Sequence, residues 1–312
     1  MDSVTLNQAP ARLRAELQRR LTSVVSLPNS VLEPLLCSLF ARGHVLLEGV
    51  PGVGKTLLAR TIARTIGGEF RRIQFTNDLM PSDVVGTNVW RPGSDKFTFV
   101  RGPLFANVVL ADEINRTSPR TLSCLLEAME NGQVSVEGRT AELGRPFMVL
   151  ATRNPIEFQG TFPVPEAALD RFLVRVELGY PEGPSELALY QGDDAEGRLQ
   201  TLEPLLTTAA LVAAQHEVEQ VRVSAPVAEY AYRIVHASRV HPATLLGASP
   251  RAALLWLRAG RARAWLDGRN YVVPDDLKQL ASPVLAHRIF LRNGGSAANV
   301  LKELLSGTEV PV

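Results

Sequence analysis

V-L-L-E-G-V-P-G-V-G-K-T, residues 45–56, decides how the rest of the chain is read. Val45, Leu46 and Leu47 form a short apolar run of the kind that makes a buried parallel strand. Gly49, Gly52, Gly54, Lys55 and Thr56 then satisfy G-x-x-x-x-G-K-[ST], the pattern of a phosphate-binding loop. Leu57 to Ile66 read as a helix, so the motif sits between a strand and a helix as it must. The glycines permit backbone conformations and close approaches that a Cβ would block. N–H groups of the loop and the helix start make an anion cradle. Lys55 supplies positive charge to β- and γ-phosphates, and Thr56 a hydroxyl for Mg²⁺. The expected nucleotide-binding set is Gly49, Pro51, Gly52, Val53, Gly54, Lys55, Thr56 and Leu57. Lysine occurs only at 55, 96, 278 and 302, so an accidental match has odds on the order of one in several hundred.

Composition narrows the rest. The chain has 312 residues, 46% hydrophobic and 21% charged, with a net charge of +1. That length suits one domain of average size and one smaller. A charge near zero gives no support for a protein that coats nucleic acid or a membrane surface. Cys37 and Cys124 both fall in apolar helical patterns and read as buried thiols, not as a disulfide or a zinc site. No apolar run approaches the length of a membrane span, and no basic start leads into an apolar core. A cytoplasmic location without membrane insertion is the expectation.

Working outward, Leu13, Leu17, Leu21 and Val24 repeat on one face of an N-terminal helix. A second helix runs to about Ala41, with Gly43 in the C-cap region. Arg72 to Thr76 read as the next strand. Val85–Trp90 and Phe97–Val100 flank a polar turn and read as a hairpin, as do Gln133–Val136 and Thr140–Leu143 around Glu137-Gly138-Arg139. Val108-Val109-Leu110-Ala111 is a buried-strand run ending in Asp112-Glu113, the Walker B pattern. Asp112 would hold Mg²⁺ through water, and Glu113 would orient or deprotonate the attacking water. Thr117-Ser118-Pro119 starts a helix striped with Leu122, Leu125, Leu126 and Met129. Phe147 to Ala151 and Leu173 to Val176 are the last strands, with Asn154 just beyond the first of them. Gly and Pro cluster at 179–200, which places a domain boundary there. From Leu202 onward the chain reads as helices only, and Ser249-Pro250 leaves Arg251 in the first turn of one of them.

A phosphate-binding loop, a Walker B Asp-Glu, an Asn after the next strand and an Arg-bearing helical C-terminal part together resemble the AAA+ ATPases. The likeness sharpens to the MoxR family in G-H-V-L-L-E-G-V-P-G-V-G-K-T (43–56), G-P-L-F-A-N (102–107) and L-A-D-E-I-N-R-T-S-P-R-T (110–121). It continues in L-L-E-A-M-E (125–130) and A-T-R-N-P-I-E-F-Q-G-T-F-P-V-P-E-A-A-L-D-R-F (151–172), and covers roughly residues 20–290. The resemblance implies an α/β AAA+ core with a parallel five-stranded sheet and two β-hairpin inserts over 1–190. A small all-α lid domain would occupy 191–312. It also implies ATP and Mg²⁺ as cofactors and a homo-oligomeric, hexameric ring with each active site at a subunit junction. Asn154 then falls at the sensor 1 position, Arg171 at the arginine-finger position and Arg251 at the sensor 2 position, giving Glu113, Asn154, Arg171 and Arg251 as the catalytic set. The implied activity is that of a chaperone or remodeller with a von Willebrand A-domain partner in assembly, activation or metal insertion of a client.

Without the resemblance, an Arg after an Asp is often a local ion pair and an Asn after a strand a turn residue. Arg251 in a first turn opposes the helix dipole, which points to an anionic partner. The sequence departs from the family at Val24-Val25-Ser26, where a V-V-G pattern contacts adenine, and at Arg153, where a Gln is common; Arg116 matches without an evident role. A nucleic-acid or transcription-related motor and a magnesium-chelatase-like subunit stand as alternatives, since related branches share the inserts. No N-K-x-D guanine-reading motif occurs, which disfavours a GTPase.

Overall fold

The computed structural model describes residues 10–93, 95–136, 138–153 and 162–311. Helices α1 (Pro10–Thr22) and α2 (Asn29–Phe40) precede β1 (Val45–Gly49), and α3 (Lys55–Thr65) leaves the glycine loop. Next come β2 (Phe70–Gln74), the single-turn α4 (Pro81–Val85) and the hairpin of β3 (Gly86–Arg91) with β4 (Lys96–Arg101). β5 (Val108–Asp112) leads into α5 (Pro119–Asn131), then a second hairpin of β6 (Gln133–Val136) and β7 (Arg139–Glu142), then β8 (Met148–Arg153). The single-turn α6 (Glu166–Leu169) and β9 (Val174–Leu178) complete the core. The C-terminal part contains α7 (Gly183–Tyr190), α8 (Ala195–Thr201), α9 (Thr208–Glu219), α10 (Ala225–Val240) and β10 (Thr244–Leu246). α11 (Pro250–Leu266), α12 (Pro274–Leu285), β11 (Phe290–Leu291) and α13 (Ala297–Gly307) follow.

The main sheet is five-stranded and parallel, in the order β2-β5-β8-β1-β9. Parallel pairing puts every carboxyl end on one edge, and β8 separates β1 from β5, so the glycine loop leaves the sheet where the strand order reverses. Such switch points are where open α/β sheets bind ligands. Register aligns the edge: Gln74 lies opposite Asp112, and Leu47 opposite Thr152.

Both sheet faces are covered, so the strands read as continuous apolar runs. Val45, Leu47, Val108 and Leu110 face α1, α2 and α3 in one cluster. Leu46, Val109, Ala111 and Ala151 face α4 and α5 in the other. The first cluster continues without a break into α9–α12, where Trp256 and Tyr230 are fully buried. An ion-pair knot reinforces the joint. Glu33 on α2 accepts from Arg14 on α1 at 2.6 Å and from Arg263 on α11 at 2.7 Å.

Four expectations shift. The second strand starts at Phe70, two residues earlier, although Phe75 beyond its end stays buried and donates its N–H to the Asp112 carbonyl at 2.9 Å. The Gly- and Pro-rich stretch at 179–200 contains α7 and α8; α7 buries no residue, so no apolar periodicity marked it. The C-terminal part is helical apart from the antiparallel pair β10–β11, which the all-helical reading missed. Cys124 is half-buried, not buried, while Cys37 is fully enclosed, and burial pushes its thiol up to about 12.

Candidate active site

The glycine loop closes over a cleft of about 660 Å³ at the carboxyl edge of the sheet. Gly49 has φ +151°, and a Cβ there would lie 2.2 Å from the Leu178 carbonyl on β9. Gly54 sits in the left-handed region at φ +88° and caps α3. Pro51, Gly52, Gly54, Lys55, Thr56 and Leu57 line the cleft, and Val53 faces an adjoining pocket. Lys55 Nζ donates to the Gly49 carbonyl at 2.5 Å. Burial lowers the pKa of Lys55, and the nearby Asp112 and Glu113 charges oppose that shift.

Asp112 and Glu113 enter the cleft from the end of β5 and are organised by one hydroxyl. Thr152 Oγ1 accepts the Glu113 N–H at 2.9 Å and donates to Asp112 Oδ1 at 2.5 Å. Glu113 takes the left-handed backbone, φ 59° and ψ 52°, a conformation costly for a residue with a Cβ. That turn aims its carboxylate across the sheet edge. Gln74 Nε2 donates to Glu113 Oε2 at 2.8 Å, and Arg116 Nη1 donates to the same oxygen at 3.1 Å. Arg72 Nη2 bridges Asp112 Oδ2 and Gln74 Oε1 at 2.6 and 2.7 Å. Both Walker B carboxylates are therefore held from the neighbouring strands.

Two features of the cleft had no clear sequence signal. Residues 183–201 run back across the glycine loop as a strap. Arg60 on α3 grips Glu196 on α8 bidentately, both bonds 2.7 Å. Arg198 donates to the Ser23 carbonyl at 2.6 Å, and Ser26 meets Ser185 at 3.0 Å. Beneath the strap lies a second pocket of about 440 Å³, walled by Val24, Val25, Leu57, Ala188 and Leu189. It shares Gly52, Gly54, Leu57, Asp193 and Ala195 with the cleft, so the two adjoin. Thr152 is the hydroxyl that follows the apolar run Met148–Ala151 in β8, the one hint in the sequence; Gln74 and Arg72 give none.

The remaining candidates lie elsewhere or outside view. Asn154 lies outside the described residues, just past β8. Arg153 pairs with Glu48 on β1 at 3.2 Å. Arg171 and Arg251 do not line the cleft. They converge on Glu130, near the C-terminus of α5. Arg171 donates through Nε and Nη2 to Glu130 Oε2 at 3.1 and 2.9 Å, and Arg251 Nη1 donates to Oε1 at 3.0 Å. Arg251, with Arg171 behind it, holds the Glu130 carboxyl below its ordinary pKa.

Residues 44–174 match the model of the ATPase family associated with various cellular activities, and residues 236–304 match an AAA lid domain. The chain is 40% identical over 290 residues to chaperone MoxR1 of Mycobacterium tuberculosis, covering 89% of this chain and 75% of that one. It is 31% identical to protein MoxR of Methylorubrum extorquens over 305 residues, covering 89% and 87%. The chain belongs to the MoxR family of AAA+ ATPases. The uncharacterized protein YeaC of Bacillus subtilis is 46% identical to this MoxR-family chain over 282 residues, covering 89% and 88%. The crystal structure of a candidate ATPase from Cytophaga hutchinsonii superposes with a TM-score of 0.89 at 34% identity, over 97% of this chain and 96% of that one. A full-length MCM homologue from Methanopyrus kandleri shares the fold at TM-score 0.61 and 17% identity, over 99% of this chain and 64% of that one.

AAA+ ATPases as a class use a nucleoside triphosphate with Mg²⁺ and typically assemble as rings. The donors present suit a hard, octahedral cation that keeps most of its water. Thr56 and Asp112 line the same cleft, and Asp112 already accepts from Thr152 and Arg72. Among the described residues no helix is long and apolar enough to cross a membrane.

Proposed function

We propose that this protein is an ATP hydrolase whose complete site is built by two copies, working as a ring-shaped chaperone or remodeller. The observation that carries the reading is the Thr152 hydroxyl, which sets Asp112 and Glu113 side by side at the mouth of the glycine loop. In this reading the loop N–H groups and Lys55 hold the triphosphate, and Thr56 and Asp112 would hold Mg²⁺, which would supply charge neutralisation at the phosphates. Glu113 takes a proton from the attacking water while Gln74 and Arg116 fix its carboxylate. The apolar pocket under the strap takes the base, and Val24-Val25-Ser26 forms part of its wall. Asn154 serves as the polar partner of the attacking water.

Arg171 and Arg251 supply positive charge to the cleft of a neighbouring copy, because neither lines its own. A core of residues 1–190 and a lid of 191–312 are the working units, six copies complete the ring, and the setting is the cytoplasm. The chaperone part draws support from the name of the mycobacterial relative. It also fits the β3–β4 hairpin, which exposes Trp90 and Phe97 with ring centroids 5.1 Å apart, a surface suited to an unfolded segment of a protein client. A von Willebrand A-domain protein remains the proposed partner.

Glu113→Gln is expected to keep ATP binding while hydrolysis falls roughly 10³-fold. Arg171→Ala is expected to lose a similar factor and also to bind ATP. Mixing the two variants restores turnover, since each supplies what the other lacks. Steady-state phosphate release measures all three, and ordinary turnover by Glu113→Gln sinks the assignment.

A further inference from the structure

Glu130 is placed against the electrostatics of its own helix. It lies in the last turn of α5, where the dipole disfavours a negative charge, and no basic residue occupies that turn. Arg251 lies in the first turn of α11, where the dipole disfavours a positive charge. Each is misplaced alone, and each compensates the other across the core–lid boundary at 3.0 Å. Arg171 joins the same carboxylate through its second oxygen and anchors its remaining arm by donating Nη1 to the Ala167 carbonyl at 2.6 Å. One carboxylate thus holds one arginine from the core and one from the lid. The helix end that carries it is itself fixed, since buried His44 joins the Met129 carbonyl at 3.0 Å.

We propose that Glu130 is a positioning residue that sets Arg171 and Arg251 as a fixed pair for the triphosphate in the neighbouring copy's cleft. The inference rests on the reading of Arg171 as an arginine one copy lends to another. A long guanidinium side chain that must be ordered on arrival acts less well than one ordered beforehand. Two guanidiniums brought together also repel. A carboxylate between them removes that repulsion and leaves the pair with a net positive charge facing outward. Because one arginine comes from the core and one from the lid, the pair is assembled only while the lid keeps its place.

The test is Glu130→Ala in the full chain. Its kcat is expected to fall at least ~10-fold, with KM for ATP and nucleotide affinity within about twofold of wild type. Mixing with Glu113→Gln chains, which carry intact arginines, restores turnover in the Glu130→Ala clefts. Adding Glu130→Ala to the Arg171→Ala, Arg251→Ala double variant costs nothing further, because Glu130 acts only through those two residues. A merely structural role would lower binding and turnover together and resist rescue. Glu130→Gln keeps the shape and supplies the same readout if the alanine variant does not fold. Either folded variant with kcat within about twofold of wild type overturns the proposal, as does a loss that Glu113→Gln chains fail to rescue. A wild type that does not hydrolyse ATP overturns the underlying reading and Glu130's role with it; an active wild type beside an unaffected Glu130 variant overturns the inference alone.

Discussion

The glycine-loop cleft and the Glu130 cluster are both knots of cation and carboxylate, with opposite balances. Lys55, Arg60 and Arg72 line the cleft against five carboxylates, those of Asp112, Glu113, Asp193, Asp194 and Glu196. Arg60 and Arg72 are each committed to one of those acids. The Glu130 cluster has two arginines and one acid. A cleft with an excess of carboxylates is a poor host for a triphosphate on side-chain charge alone. On the proposed function, its attraction would come from backbone N–H groups, Lys55, a divalent cation and positive charge from outside. The other cluster has that positive charge and lies away from the cleft of its own chain. Separation of the two within one chain is the physical case for a site shared between copies.

The largest effect that distinguishes the two regions is on binding. Lys55→Ala removes a cation that must sit within the cleft, so nucleotide affinity is expected to fall about 10- to 100-fold. Unlike Arg171→Ala, it is not rescued by mixing with Glu113→Gln chains, because no neighbour can supply a lysine to the loop. Titration with a fluorescent nucleotide measures the first part and mixed turnover the second. Rescue of Lys55→Ala, or failure to rescue Arg171→Ala, would erase the contrast between a resident cation and a lent one.

The two regions also differ in how far sequence alone reveals them. The cleft is built mostly from local pattern: glycine spacing fixes the loop, apolar runs fix β1, β5 and β8, and Asp112-Glu113 ends a strand. Backbone geometry then brings these together, because parallel strands share one carboxyl edge. Glu130, Arg171 and Arg251 meet across separations of 41 and 121 residues, which no periodicity encodes. Thr152 and Gln74 were missed because a polar residue at a strand end resembles any other until the register puts it beside a carboxylate. The strap is hidden for a related reason: α7 buries nothing and α8 only Leu199, while the contacts of Ser185, Glu196 and Arg198 are polar ones to partners far along the chain.

A smaller effect, on stability, tests whether the two regions are rigidly joined. His44 is buried at the start of β1, whose other end carries the glycine loop, and beside the end of α5 that carries Glu130. Its Nδ1 accepts the Val149 N–H on β8 at 3.0 Å, and its Nε2 donates to the Met129 carbonyl beside Glu130. Burial lowers the His44 pKa from 6.5 to about 4. The unfolded chain therefore binds a proton between those values that the folded chain refuses. Stability is fully present above about pH 6.5 and declines as pH falls toward 4, by about 3 kcal/mol from this residue. His287, buried and lowered well below its ordinary pKa by burial, adds to the slope in the same direction. Denaturant midpoints across this range are expected to drop, and His44→Asn is expected to flatten the drop while lowering stability at neutral pH. A slope unchanged by that substitution would assign the acid sensitivity elsewhere.

The smallest effect belongs to the strap, and it separates nucleotide exchange from chemistry. Arg60 and Glu196 join α3 to α8 along the wall of the glycine-loop cleft, with both side chains partly exposed. Exposed ion pairs hold weakly even when bidentate, so Arg60→Ala is expected to speed release of a fluorescent ADP analogue only about threefold. Added salt should speed release from wild type and leave the variant nearly unchanged, since its latch is already gone. The chemical step, read by single-turnover hydrolysis, stays as in wild type because Arg60 touches neither Walker B carboxylate. Glu130→Ala has the opposite signature, a slower chemical step with ordinary release. If Arg60→Ala slowed hydrolysis and left release alone, the strap would belong with the catalytic groups, and the division between a cleft that holds and a neighbour that completes would have to be redrawn.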